Sequence, residues 1–140
     1  MWAFYAFLSA ITASLVAIFG KLGLKNIDST LATTIRSIVM ALFLIIVSLM
    51  LRKWQGFTWQ TLNGKDWWLI ILAGVAGALS WLFYFYALKH GLASKVAVID
   101  RLSLVFVIIL AAIFLGEALG WKTVIGALLM VGGAILITLK

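Results

Sequence analysis

With 140 residues, 66% of them hydrophobic, 11% charged and a mean hydropathy of +1.22, the chain carries too little polar surface to stay dissolved in water as a folded domain. Its formal charge of +7 comes from Lys and Arg residues placed singly at the ends of apolar stretches, a pattern of membrane-flanking anchors that excludes a nucleic-acid-binding face. The absence of cysteine excludes disulfides and thiolate metal sites, and a lone His90 without a Ser/His/Asp set, a ligand cluster or a phosphate-cradling glycine loop gives no basis for an enzyme, a metal or a cofactor.

A membrane span needs about 20 apolar residues at 1.5 Å rise each. Five stretches meet that length, and the expected spans are about 2–22, 29–51, 67–89, 95–116 and 119–139 of a single domain covering 1–140. Only helices and closed barrels satisfy every backbone amide in hydrocarbon, and the stretches lack the polar/apolar alternation of barrel strands. The fold class is therefore an all-α membrane protein, a five-transmembrane-helix bundle.

The first span, from Trp2 to Gly20, has no ionisable group and no basic segment before it, so it is expected to remain in the mature protein. Lys21 and Lys25 follow, and Asn26-Ile-Asp-Ser29 offers cap residues for the second span. That span contains one charge, Arg36. The loop from Arg52 to Asp66 interleaves Trp54, Phe57, Trp59 and Leu62 with polar residues, as an interfacial segment does, and Trp67 and Trp68 continue it.

The third span carries the small residues Gly74, Gly77 and Ala78, then Trp81, Tyr84, Phe85 and Leu88 at helical spacing. Close approach at the small residues and widening at the aromatics would make a cavity; aromatic core packing is the competing explanation. Gly91 ends this helix and Ser94 is expected to open the next, which holds Asp100 and Arg101. Glu117 is placed to favour the N-terminus of the last helix, whose Gly126, Gly132 and Gly133 are expected to pack closely. Without proline, helices broken around an ion site are not indicated.

A charge inside the bilayer costs about 2.5–3.5 kcal/mol, so Arg36 and Asp100 should face protein or water. Both helices start on the same side, which puts the two residues at matching depth, about 9–11 Å below that surface. Two uses remain open: a buried pair that fixes helix register, or a substrate-linked or ion-linked site. Arg101 points about 100° away and is left to snorkel to the headgroups or to face a partner protomer.

Five spans put the two chain ends on opposite faces. With the N-terminus on side one, four Lys/Arg flank that side and five, including Lys140, flank the other. A protein with one fixed orientation shows a clear cytoplasmic excess, so dual insertion is open to this chain.

The stretch Tyr86-Ala-Leu-Lys-His-Gly-Leu-Ala-Ser-Lys-Val-Ala-Val-Ile-Asp-Arg-Leu-Ser103, followed by Leu115-Gly-Glu117, resembles the EamA domain of the drug/metabolite transporter superfamily. Lys21-Leu-Gly-Leu24 and Ala32-Thr-Thr-Ile-Arg36 extend the likeness over the whole chain. The resemblance implies a single-domain, five-helix member, half of a ten-helix EamA fold, with its central cavity walled mainly by the first, third and fourth helices. Where the family often has proline, this chain has Val98 and Leu92, so the family's kink in the fourth helix is not expected. The small multidrug antiporters resemble it less, because their membrane-embedded glutamate has no counterpart in the first helix, which disfavours proton-coupled export of cationic drugs.

Together these features imply a transporter half that works as a homodimer, most simply antiparallel, in the bilayer of a prokaryotic cytoplasmic membrane. The expected substrate-binding residues are Arg36, Trp81, Tyr84, Asp100, Lys21 and Phe85. Arg36 and Lys21 beside one Asp100 tilt the small-molecule substrate toward an anionic or zwitterionic, amino-acid-like metabolite moved by alternating access. The alternative is a non-transporting scaffold, or a subunit of a hetero-oligomeric transporter.

Overall fold

The computed structural model describes residues 2–55, 57–58 and 63–139; Trp59 and Leu62 of the interfacial loop, and Lys140 of the charge count, lie outside them. The helices are α1 (Trp2–Gly23), α2 (Ser29–Met50), α3 (Gly64–His90), α4 (Ala93–Asp100), α5 (Ser103–Leu115) and α6 (Trp121–Thr138), and the described residues form no strand. Since α4 and α5 together make the apolar segment Ala93–Leu115, five helical segments are long and apolar enough to cross a membrane. Their large apolar side chains stand mostly exposed, as on Ile38, Phe83, Phe106 and Leu136, because the solvent for this surface is lipid. The chain is an integral, multi-pass membrane protein of all-α class.

The helices gather into two compact units, Phe19–Lys89 and Met1–Ile18 with His90–Lys140. In the first, Asp28 caps α2: its Oδ1 accepts from the N–H groups of Thr30 at 2.8 Å and Leu31 at 3.2 Å. Those bonds, Leu31 first, hold the Asp28 carboxyl below its ordinary value. Within α2, the hydroxyls of Thr33 and Ser37 donate to the carbonyls of Ser29 and Thr33, each at 2.8 Å, so the polar side chains of an apolar helix stay satisfied. The helix closes through Arg52, whose φ of 51° is left-handed, while the Trp54 indole N–H donates to Ser48 Oγ at 2.7 Å. Asp66 opens α3 by accepting from the backbone N–H of Asn63 at 3.1 Å, the reciprocal half of a capping box.

The core of this unit lies where the end of α1 meets the end of α3. Leu24, Phe85 and Leu88 are buried there, Leu88 completely. Gly20 permits the approach, since a Cβ at that position would stand 3.2 Å from Leu88 Cδ2 and 3.3 Å from Phe85 Cζ. At the glycines expected to bring helices together the described residues leave open space: a Cβ at Gly74, Gly77, Gly126, Gly132 or Gly133 would meet nothing within 4 Å. Their sequence signal was the lack of a side chain, which permits contact without compelling it.

In the second unit, α6 packs on α4 and α5. Lys95 Nζ donates to the carbonyl of Thr138 at 3.0 Å, tying α4 to the end of α6. The fourth span is interrupted at Arg101–Leu102 despite the missing proline. There the N–H of Leu102 turns to Ile99, three residues back, and those of Leu104 and Val105 turn to Arg101 and Leu102. This is a tight 3₁₀-type passage between two α-helices.

Two expected caps differ. Leu92, not Ser94, holds the N-cap position of α4, and it makes no side-chain bond. Glu117 does not cap α6, whose N-cap is Gly120; its backbone N–H donates to the carbonyl of Ala111 at 3.3 Å and closes α5 beside Gly116, whose φ is 68°.

Candidate functional site

Helix α2 carries Arg36 seven residues after its first residue, and α3 carries Trp81 nine residues before its last. At 1.5 Å rise, both lie about 10–14 Å along their helices from the ends that flank the α1/α3 core. The depths match, and the side chains meet. The Arg36 guanidinium carbon stands 3.6 Å from the centroid of the Trp81 ring and 5.2 Å from that of Phe85.

The aromatic group is set by α3 itself, because positions 81, 84 and 85 share one helix face. Trp81 meets Tyr84 edge-on at 5.6 Å between centroids, Phe85 lies 5.8 Å from Trp81, and Tyr84 and Phe85 are 6.1 Å apart. Phe85 is only 3% exposed, whereas Trp81, Tyr84 and Arg36 are half-buried. A guanidinium is weakly hydrated and planar, so it can lie on an indole face where an ammonium would hold its water. At this distance the ring covers one side of the cation. Among the described residues of this unit, no hydrogen bond or ion pair of the Arg36 side chain accompanies the stack.

Four of the six residues expected at the site, Arg36, Trp81, Tyr84 and Phe85, therefore form one cluster. Lys21 belongs to the same unit at the end of α3, where its ammonium donates to the carbonyls of Leu88 at 2.6 Å and Lys89 at 3.3 Å. Those carbonyls lack intrahelical donors, and a cation there also suits the helix dipole. Lys89 in turn donates to the carbonyl of Ile27 at 3.0 Å, joining the α1–α2 loop to the end of α3. Asp100 ends α4 in the other unit, half-buried and directly before the break.

Sequence reasoning sought a carboxylate for Arg36 and overlooked an aromatic ring as its neighbour. The signal was available: an arginine and a tryptophan at similar depths on successive antiparallel helices. The chain holds no metal-ligand group of three or more His, Cys, Asp or Glu among the described residues.

Residues 1–139 match the EamA-like transporter family. A protein of Sinorhizobium sp. named as an uncharacterized transporter in the cobO 3' region is 39% identical over 136 residues, covering 97% of this chain and 95% of that protein. No solved structure matches the chain. With the likeness running from end to end, the chain belongs to the EamA-like transporter family.

Proposed function

We propose that this transporter works as a homodimer that carries a small anionic or zwitterionic metabolite, amino-acid-like, across a prokaryotic cytoplasmic membrane by alternating access. Arg36, Trp81, Tyr84 and Phe85 form the substrate contact, and the protein makes or breaks no covalent bond of its cargo. The observation that carries this reading is the Arg36 guanidinium over the Trp81 ring with no hydrogen bond spent on the described residues of its unit. A planar fork of N–H donors matches a carboxylate in bidentate fashion. The neighbouring rings offer an apolar wall for the rest of such a molecule, while a free ammonium group would be left to water.

Purified protein in liposomes, loaded with a panel of labelled amino acids and their decarboxylated amines, tests the assignment. Uptake of at least one carboxylate-bearing solute is expected, with its amine counterpart excluded. Arg36→Gln should abolish uptake, and Arg36→Lys should restore little, since an ammonium offers no fork. Amine transport that survives Arg36→Gln overturns the assignment. Absence of flux for every solute in correctly folded protein returns the chain to the role of a scaffold or a subunit.

A further inference from the structure

A second feature lies in the other unit, away from the aromatic cluster. Between α4, the break and α6 runs a groove of about 240 Å³, with Val98 and Leu102 on one wall, Met130, Gly133, Ala134 and Ile137 on the other, and Arg101 completing the lining. The α6 residues follow the spacing i, i+3, i+4, i+7, so they are a single helix face. Two of them are small, and a Cβ at Gly133 would meet nothing within 4 Å. The groove exists because that face lacks side chains to fill it.

Its chemistry has two parts. Every lining side chain except Arg101 is apolar, and the volume is below the roughly 300–1,000 Å³ of pockets that enclose a small solute. In a bilayer, such a furrow suits a hydrocarbon chain lying along it. Arg101, by contrast, is exposed, stands eight residues from the start of α4, and has no hydrogen-bond or ion-pair partner for its side chain among the described residues of its unit. That is about 12 Å along the helix, within snorkelling reach of the headgroup region. Lys95, in the first turn of α4, is already bonded to the carbonyl of Thr138. A second copy of the chain is a poor counterion, because the protein carries a net charge of +7.

We propose that this groove holds one acyl chain of an anionic phospholipid whose phosphate pairs with the Arg101 guanidinium. Hydrocarbon then fills the space left by Gly133 and Ala134, and the phosphate neutralises a cation that would otherwise stand in the membrane uncompensated. The 3₁₀ passage serves this site by setting Arg101 next to Leu102 on the groove.

The test uses the full chain in nanodiscs of equal parts phosphatidylglycerol and phosphatidylcholine, with retained lipid identified by native mass spectrometry. Phosphatidylglycerol should be enriched about fivefold, the ratio that one juxtamembrane cation supplies against an anionic lipid. Arg101→Gln should bring the ratio to about one, and Arg101→Lys should keep most of it. Gly133→Leu should reduce retained lipid with the helical circular dichroism unchanged; Gly133→Ala serves as a milder filling if the larger side chain prevents folding. Equal retention of the two lipids by the unaltered protein overturns the proposal, as does enrichment that survives Arg101→Gln. An interchain disulfide formed by Gly133→Cys in phosphatidylcholine alone would also overturn it, by assigning the groove to a second copy.

Discussion

The Arg36 guanidinium carbon stands over the Trp81 ring, 3.6 Å from its centroid, and both residues lie well inside membrane-length apolar helices. A cation at this depth costs free energy that must be offset, and an aromatic face does so without a second ionised group. A carboxylate partner would have neutralised the arginine for every anion that arrives later. A ring lowers the cost and leaves the positive charge in place. On the proposed reading, the stack would keep an anion receptor inside hydrocarbon.

If the stack has this role, the two side chains are energetically coupled. Trp81→Leu and Arg36→Met should each destabilise the fold, and the double variant should lose less than the sum, with a coupling of about 1–2 kcal/mol. Reversible unfolding in mixed detergent, across the four proteins of the cycle, measures it. Additive losses would mean that the stack contributes nothing.

Helix class and span number were legible in the sequence because hydrophobic length is a local property, and the N-cap role of Asp28 was legible for the same reason. The aromatic face of Trp81, Tyr84 and Phe85 was legible from spacing alone. What escaped depends on choices that the residues leave open. Arg36 could meet a ring or a carboxylate; Gly77 could lie against a helix or against lipid; residues 100–102 could continue an α-helix or tighten into a 3₁₀ turn. Gly20 shows the difference clearly. It has the same side chain as Gly77, and only the packing of Phe85 and Leu88 over it makes its smallness necessary.

That contrast gives a stability prediction. Gly20→Ala requires the buried Leu88 and Phe85 side chains to give by a few tenths of an ångström, and that overpacking should outweigh the helix-propensity gain and leave a net cost of about 1 kcal/mol. Gly77→Ala meets no neighbour and should cost nothing, or even stabilise through its better helix propensity. Thermal melting of the two variants in one detergent checks both signs. Equal melting points would show that the α1/α3 end is not the tight part of the unit.

Acid should weaken the start of α2. The folded Asp28 carboxyl titrates below its ordinary value of 3.8, because the Leu31 and Thr30 N–H groups favour its charged form. Its contribution to stability is thus complete above the ordinary value and is lost as pH falls through the lowered one. Asp28→Asn keeps an acceptor for the cap but cannot titrate, so it should melt slightly below the unaltered protein at pH 7 and converge with it as pH falls through the lowered value. Asp28→Ala should be the least stable at pH 7. Melting curves whose separation between Asp28→Asn and the unaltered protein is independent of pH would remove the carboxylate from the cap.

Orientation in the membrane gives the last prediction. Five spans place the α1–α2 loop and the α2–α3 loop on opposite faces, and the Lys/Arg residues divide four against five between those faces. Insertion is biased by that difference, so a chain with almost none should enter both ways. Two opposed copies of one sequence then present the same Arg36–Trp81 cluster to both sides. In the proposed antiparallel dimer, states open to either face would exchange by symmetry, and without a gradient their energies should be nearly equal. Single cysteines at Asn26 and Lys53, in a chain that has none of its own, report the faces separately. An impermeant maleimide applied to intact cells should label a substantial fraction of each, with the remainder labelled only after lysis. Complete labelling of one position and complete protection of the other would fix a single orientation, and the working dimer would then have to be parallel or completed by a different chain.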